Sequence, residues 1–153
     1  MDTGFIRRGR PAVNLAAEGE AACYSPRDPV PGKTILVIDD ERDIHRLLKA
    51  VLEREGYTIF SALDAMQGSM MPRQVKPSLI ILDINLPGGG GPKVYERLRM
   101  MSGSAATPIL IYSAVSLGEI QKQIPEDPAT AILSKPAQPE QILSAVQQLL
   151  DRA

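Results

Sequence analysis

From Lys33 onward the chain alternates short, unbroken apolar runs with longer segments whose apolar residues recur every three or four positions. An uninterrupted run of Ile, Val and Leu is what a strand buried on both faces of a parallel sheet needs. Five short runs rich in these residues occur, over residues 34–38, 58–63, 79–82, 108–112 and 130–133. The segments between and after them predict helices. The first carries Ile44, Leu47, Leu48, Val51 and Leu52 on one stripe and stops near Gly56. The second is capped by Asp64 and runs to about Met71, short of Pro72. The others span 92–101, 117–124 and 139–150. Because βαβ crossovers are almost always right-handed, five βα units close into a doubly wound α/β sheet with helices on both faces, strand order 2-1-3-4-5.

Residues 1–32 show no such period and end in the proline-rich stretch from Ser25 to Gly32, so they read as a flexible N-terminal tail before a folded domain at 33–153. The formal charge is −1, from 17 basic and 18 acidic residues, which gives no general attraction to nucleic acid or to a membrane surface. Cys23 is the single cysteine, so no internal disulfide forms. Arg7, Arg8 and Arg10 are not followed by an apolar secretory segment, and no run approaches the roughly 20 apolar residues of a membrane span. The expectation is a soluble, cytoplasmic chain.

In an open parallel sheet, ligands bind at the carboxyl ends of the strands. The polar residues that interrupt the apolar pattern stand there: Asp39 and Asp40 after the first strand, Asp83 after the third, Ser113 after the fourth and Lys135 after the fifth. With strands one and three adjacent, the three carboxylates converge. At an effective dielectric near 20, two unit charges about 4 Å apart repel by about 4 kcal/mol, so a cation belongs among them. All-oxygen ligands at an open site suit Mg²⁺ better than Ca²⁺. Asp83, the central carboxylate, is the candidate nucleophile for a phosphoryl group, forming an acyl phosphate. Lys135 and the Ser113 hydroxyl are placed to contact the phosphoryl oxygens and to signal its presence.

This set resembles the receiver domain of two-component response regulators over residues 33–152. The resemblance rests on Asp39-Asp40, on Asp83 within Leu-Asp-Ile-Asn-Leu-Pro, on Gly91 four residues beyond Pro87, on Ser113-Ala114 and on Lys135-Pro136. It implies a flavodoxin-like fold and Mg²⁺ held by Asp39, Asp40, Asp83 and the backbone carbonyl of Asn85. It also implies a phosphohistidine donor on a sensor histidine kinase or a histidine phosphotransfer protein. Output would pass by contact to a downstream protein or to a second copy of the chain at the fifth strand and its flanking helices, since no DNA-binding segment follows Arg152. Catalysis would be confined to self-phosphorylation and slow autodephosphorylation.

Two features depart from the family. Ile132 stands where similar domains place Tyr or Phe three residues before the lysine, which keeps open a second reading, a receiver-like module that binds partners without phosphorylation. The run from Gly88 to Gly91 holds more glycine than the loop requires and loosens the start of the next helix. Those glycines lack the Lys-Ser/Thr of a nucleotide P-loop. A phosphohydrolase with an aspartyl nucleophile would need a proton donor two residues on, where Asn85 stands. His45 reads as a surface residue of the first helix with no role, and Tyr112 as a residue packed from its strand.

Overall fold

The computed structural model describes residues 6–7 and 33–152; Cys23 and the rest of the N-terminal 32 residues lie outside them. Five strands, β1 (Thr34–Ile38), β2 (Thr58–Ala62), β3 (Leu79–Leu82), β4 (Ile109–Ser113) and β5 (Thr130–Ser134), pair in parallel in the order β2-β1-β3-β4-β5. The helices are α1 (Arg42–Glu53), α2 (Ala65–Val75), α3 (Gly90–Met100), α4 (Leu117–Gln123) and α5 (Pro139–Arg152). Each strand end agrees with its apolar run to within a residue.

Alternation along the strands builds two cores. Ile35, Val37, Leu79, Ile81, Leu110 and Leu133 face one way, against Leu48 and Leu52 of α1 and Ile142, Val146 and Leu149 of α5. Leu36, Ile38, Ile80, Leu82, Ile111 and Ile132 face the other, against Val94, Tyr95 and Leu98 of α3 and Ile120 of α4. Both faces of the central strands are therefore covered, which is why their sequences are apolar without a break.

Four features differ from the sequence expectation. A short strand, Ile6–Arg7, adds antiparallel to the free edge of β5, with Ile6 opposite Ile132 and Arg7 opposite Ala131; residues read as tail thus contribute to the sheet. Helix α2 continues past Pro72, which is buried, and ends on Lys76 in a left-handed conformation (φ 51°) whose N–H reaches the Pro72 carbonyl. The Asp64 cap is as expected, its Oδ1 accepting from the Gln67 N–H at 2.8 Å.

Two glycines of the run are required by the backbone. Gly88 has φ +73°, and a Cβ on Gly91 would stand 2.1 Å from the Ile84 carbonyl oxygen, so the backbone after Asp83 crosses α3 where no side chain fits. A 3-10 turn over Pro87–Gly89 joins that loop to α3. Finally, His45 is buried rather than on the surface. It shares the inward stripe of α1 with Leu48 and Leu52, while Leu47, expected inside, is exposed.

Candidate functional site

The carboxyl ends of β1 and β3 deliver Asp39, Asp40 and Asp83 to one edge, and each offers an oxygen within 4.8 Å of the others. Asp39 and Asp83 are buried, whereas Asp40 faces solvent. Asp83 Oδ1 accepts from the Asn85 N–H at 3.0 Å, which fixes the loop leaving β3 around the carboxylate. Asp40 and Asn85 also line a cleft of about 470 Å³ with Pro87, Gly88 and Val115, which opens the site to a ligand from the α4 side.

Lys135 reaches across from the end of β5. Its Nζ lies 2.8 Å from Asp39 Oδ2, 3.3 Å from Asp83 Oδ2 and 3.5 Å from Glu41 Oε1. The ammonium also sits 5.6 Å from the centroid of the Tyr112 ring. Burial disfavours its charge, but the hydrogen bond to Asp39 and the charges of Asp83 and Asp39 outweigh that cost and raise its pKa above the ordinary lysine value. Asp39 is also shifted upward, because burial outweighs the hydrogen bond from Lys135. The two directions are compatible: both groups are desolvated, and the shared proton belongs to the far more basic Lys135, so the contact is an ion pair.

Ser113, fully buried at the end of β4, accepts from the Val115 N–H at 3.2 Å, and its carbonyl accepts from the Lys135 N–H at 3.0 Å. The last residue of β4 is thus tied directly to the lysine. Tyr112 packs from its strand as expected, and its hydroxyl also accepts from the Ala137 N–H at 3.2 Å, just beyond the cis Lys135-Pro136 bond. Ile132, at the position noted for lacking an aromatic, is wholly in the core.

Sequence reasoning missed three neighbours of the site: Glu41, the Tyr112 ring and His45, whose Nε2 lies 2.6 Å from the Asp39 carbonyl oxygen. The first was legible as a third acid after Asp39-Asp40. The second had only its place one residue before Ser113 to mark it. His45 was hidden by the helix phase.

Fold and site together define a class, a parallel α/β sheet with an acidic cluster and a lysine at its carboxyl edge. Residues 35–147 match the model of the response regulator receiver domain, and the chain belongs to that family. It is 38% identical over 120 residues to the DNA-binding dual master transcriptional regulator RpaA of Synechocystis sp., covering 77% of this chain and 49% of that one. The chain thus spans about half the length of that relative. In structure it resembles the chemotaxis response regulator CheY4 of Vibrio cholerae, with a TM-score of 0.68 and 25% identity over 76% of this chain and 98% of that one. The receiver domain of the sensor histidine kinase PA1611 from Pseudomonas aeruginosa, described with magnesium coordinated in its active-site cleft, has a TM-score of 0.71. It is 20% identical, over 78% of this chain and 98% of that one. Among the described residues no helix is long and apolar enough to cross a membrane.

Proposed function

We propose that this receiver domain accepts a phosphoryl group on Asp83 from a phosphohistidine of a sensor histidine kinase or a histidine phosphotransfer protein. The observation that carries this reading is the meeting of Asp39, Asp40 and Asp83 with Lys135 at one sheet edge. A carboxylate oxygen of Asp83 attacks phosphorus in line, the P–N bond breaks, and its electron pair returns to the imidazole of the donor. The product is an acyl phosphate.

The donor set fits Mg²⁺: three carboxylates of hard oxygen, one of them exposed, beside an open cleft. Asp39, Asp40 and Asp83, with the Asn85 backbone carbonyl, are the residues that would hold it. The ion supplies charge neutralisation for an anionic donor approaching an anionic site. Lys135 then meets a phosphoryl group carrying more charge than the carboxylate it touches now, and Ser113 can donate its hydroxyl to a phosphoryl oxygen. Movement of these two residues displaces the loops after β4 and β5, which flank α4.

The altered surface would be read by a downstream protein or by a second copy of the chain. Because Ile6–Arg7 pairs with the outer edge of β5, docking there would use α4 and α5 more than strand addition. The buried Ile132 favours attention to one other reading, partner binding that ignores phosphorylation, since no ring stands at that position to change its exposure.

Intact-mass measurement after incubation with a small phosphodonor separates the two. Gain of one phosphoryl group that requires both Mg²⁺ and Asp83 supports the switch. Partner binding unchanged by Asp83→Asn, with no mass gain, supports the second reading.

A further inference from the structure

The main chain of Asp39 is gripped from two sides. Its N–H donates to the Ala62 carbonyl at 3.1 Å, and its own carbonyl lies 2.6 Å from Nε2 of His45. A carbonyl can only accept, so Nε2 carries the proton and donates. The other ring nitrogen, Nδ1, lies 2.9 Å from the Ser61 hydroxyl, which donates to it in the neutral ring. Ser61 is an exposed residue of β2, and His45, buried at 7% exposure, bridges α1, the end of β1 and the end of β2 through its ring.

Both carboxylate oxygens of the same residue are also engaged, Oδ1 accepting from the Glu41 N–H at 2.9 Å and Oδ2 from Lys135. Among the described residues, His45 is the side chain that fixes the Asp39 carbonyl, and through it the direction in which the carboxylate leaves the strand. Resting on the reading of Asp39 as a metal ligand, we propose that His45 is a positioning residue for the metal site, holding Asp39 through a Nε2–H donor that Ser61 orients. Groups that orient metal ligands commonly change affinity by about 10- to 100-fold when removed.

The donor can be moved without removing it. A glutamine amide nitrogen falls near the place of Nε2, whereas an asparagine amide falls near Nδ1 and cannot reach the Asp39 carbonyl. In the full chain, Mg²⁺ affinity is measured by calorimetry for wild type, His45→Gln, His45→Asn and Ser61→Ala. The unfolding midpoint is measured without metal, alongside the backbone amide shifts of Asp39 and Asp40.

The expected result is Mg²⁺ binding by His45→Gln within about threefold of wild type and a loss of roughly tenfold in His45→Asn. The Asp39 and Asp40 amide shifts should move in the Asn variant and not in the Gln variant, at similar unfolding midpoints. Ser61→Ala, at an exposed position that leaves the core intact, should give an intermediate loss, and serves if the Asn variant does not fold. Wild-type affinity in both His45→Asn and Ser61→Ala, or equal losses in the Gln and Asn variants, would overturn the role of His45. Wild type that binds no Mg²⁺ would overturn the metal-site reading itself, a different failure with a different signature.

Discussion

Lys135 and Asp39 lie 96 residues apart in the chain, yet Nζ of the one is 2.8 Å from Oδ2 of the other. The pair joins the end of β5 to the end of β1 across β3 and β4, and the same ammonium touches Asp83 between them. Any change of charge at Asp83 is therefore felt by a lysine that belongs to another strand.

Removing that lysine should have two separable effects. Lys135→Ala leaves the buried Asp39 without its counter-ion, and loss of one partner of a buried pair costs about 3 kcal/mol. Urea unfolding in EDTA should show that loss, and Mg²⁺ should recover part of it. Phosphorylation of Asp83 should persist in some measure while the accompanying conformational response disappears; a normal response would contradict the role given to Lys135.

A second polar cluster braces the far end of the sheet. The Asp127 carboxylate accepts from the Tyr95 hydroxyl, from Arg99 and from the Ala129 N–H. Burial pushes its pKa up, but the Ala129 and Tyr95 hydrogen bonds and the Arg99 charge prevail and hold it below the usual 3.8. A lowered folded-state pKa means stability present above the unfolded value and lost as pH falls through the folded one. Asp127→Asn should lower Tm by a few degrees at neutral pH, for roughly 1 kcal/mol. That difference should shrink only below about pH 3.8. A gap independent of pH would contradict the charged assignment.

Gly91 tests the backbone that carries Asp83. An added Cβ would stand 2.1 Å from the Ile84 carbonyl oxygen, whereas nothing lies within 4 Å of the same atom at Gly103. Gly91→Ala should cost on the order of 3 kcal/mol by chemical denaturation and slow phosphorylation, because Ile84 adjoins Asp83. Gly103→Ala should be near neutral.

The sheet was legible because the central strands, covered on both faces, are built largely of Ile, Val and Leu, so an acid or a lysine at a strand end stands out. The same contrast exposed Asp39, Asp40, Asp83 and Lys135. Periodicity resolves a helix face less finely: His45 lies on the Leu48–Leu52 stripe, but Ile44 and Leu47 beside it drew the stripe's centre away. Pro72 reads as a stop because the rule against proline concerns the local hydrogen bond, while its burial in the packed helix depends on the fold. The contacts of Gly91 with Ile84 and of Ile6–Arg7 with β5 are tertiary: the sequence marks Gly91 without showing what it meets, and gives no sign of the short strand.

The most direct test of the central claim is to locate the phosphoryl group. After incubation with a small phosphodonor and Mg²⁺, borohydride reduction converts an aspartyl phosphate to homoserine, and peptide mass spectrometry reads its position. Homoserine at residue 83, absent without Mg²⁺ and absent in Asp83→Asn, is the expected result. Reduction at another aspartate, or none while a known receiver is labelled in parallel, would contradict it.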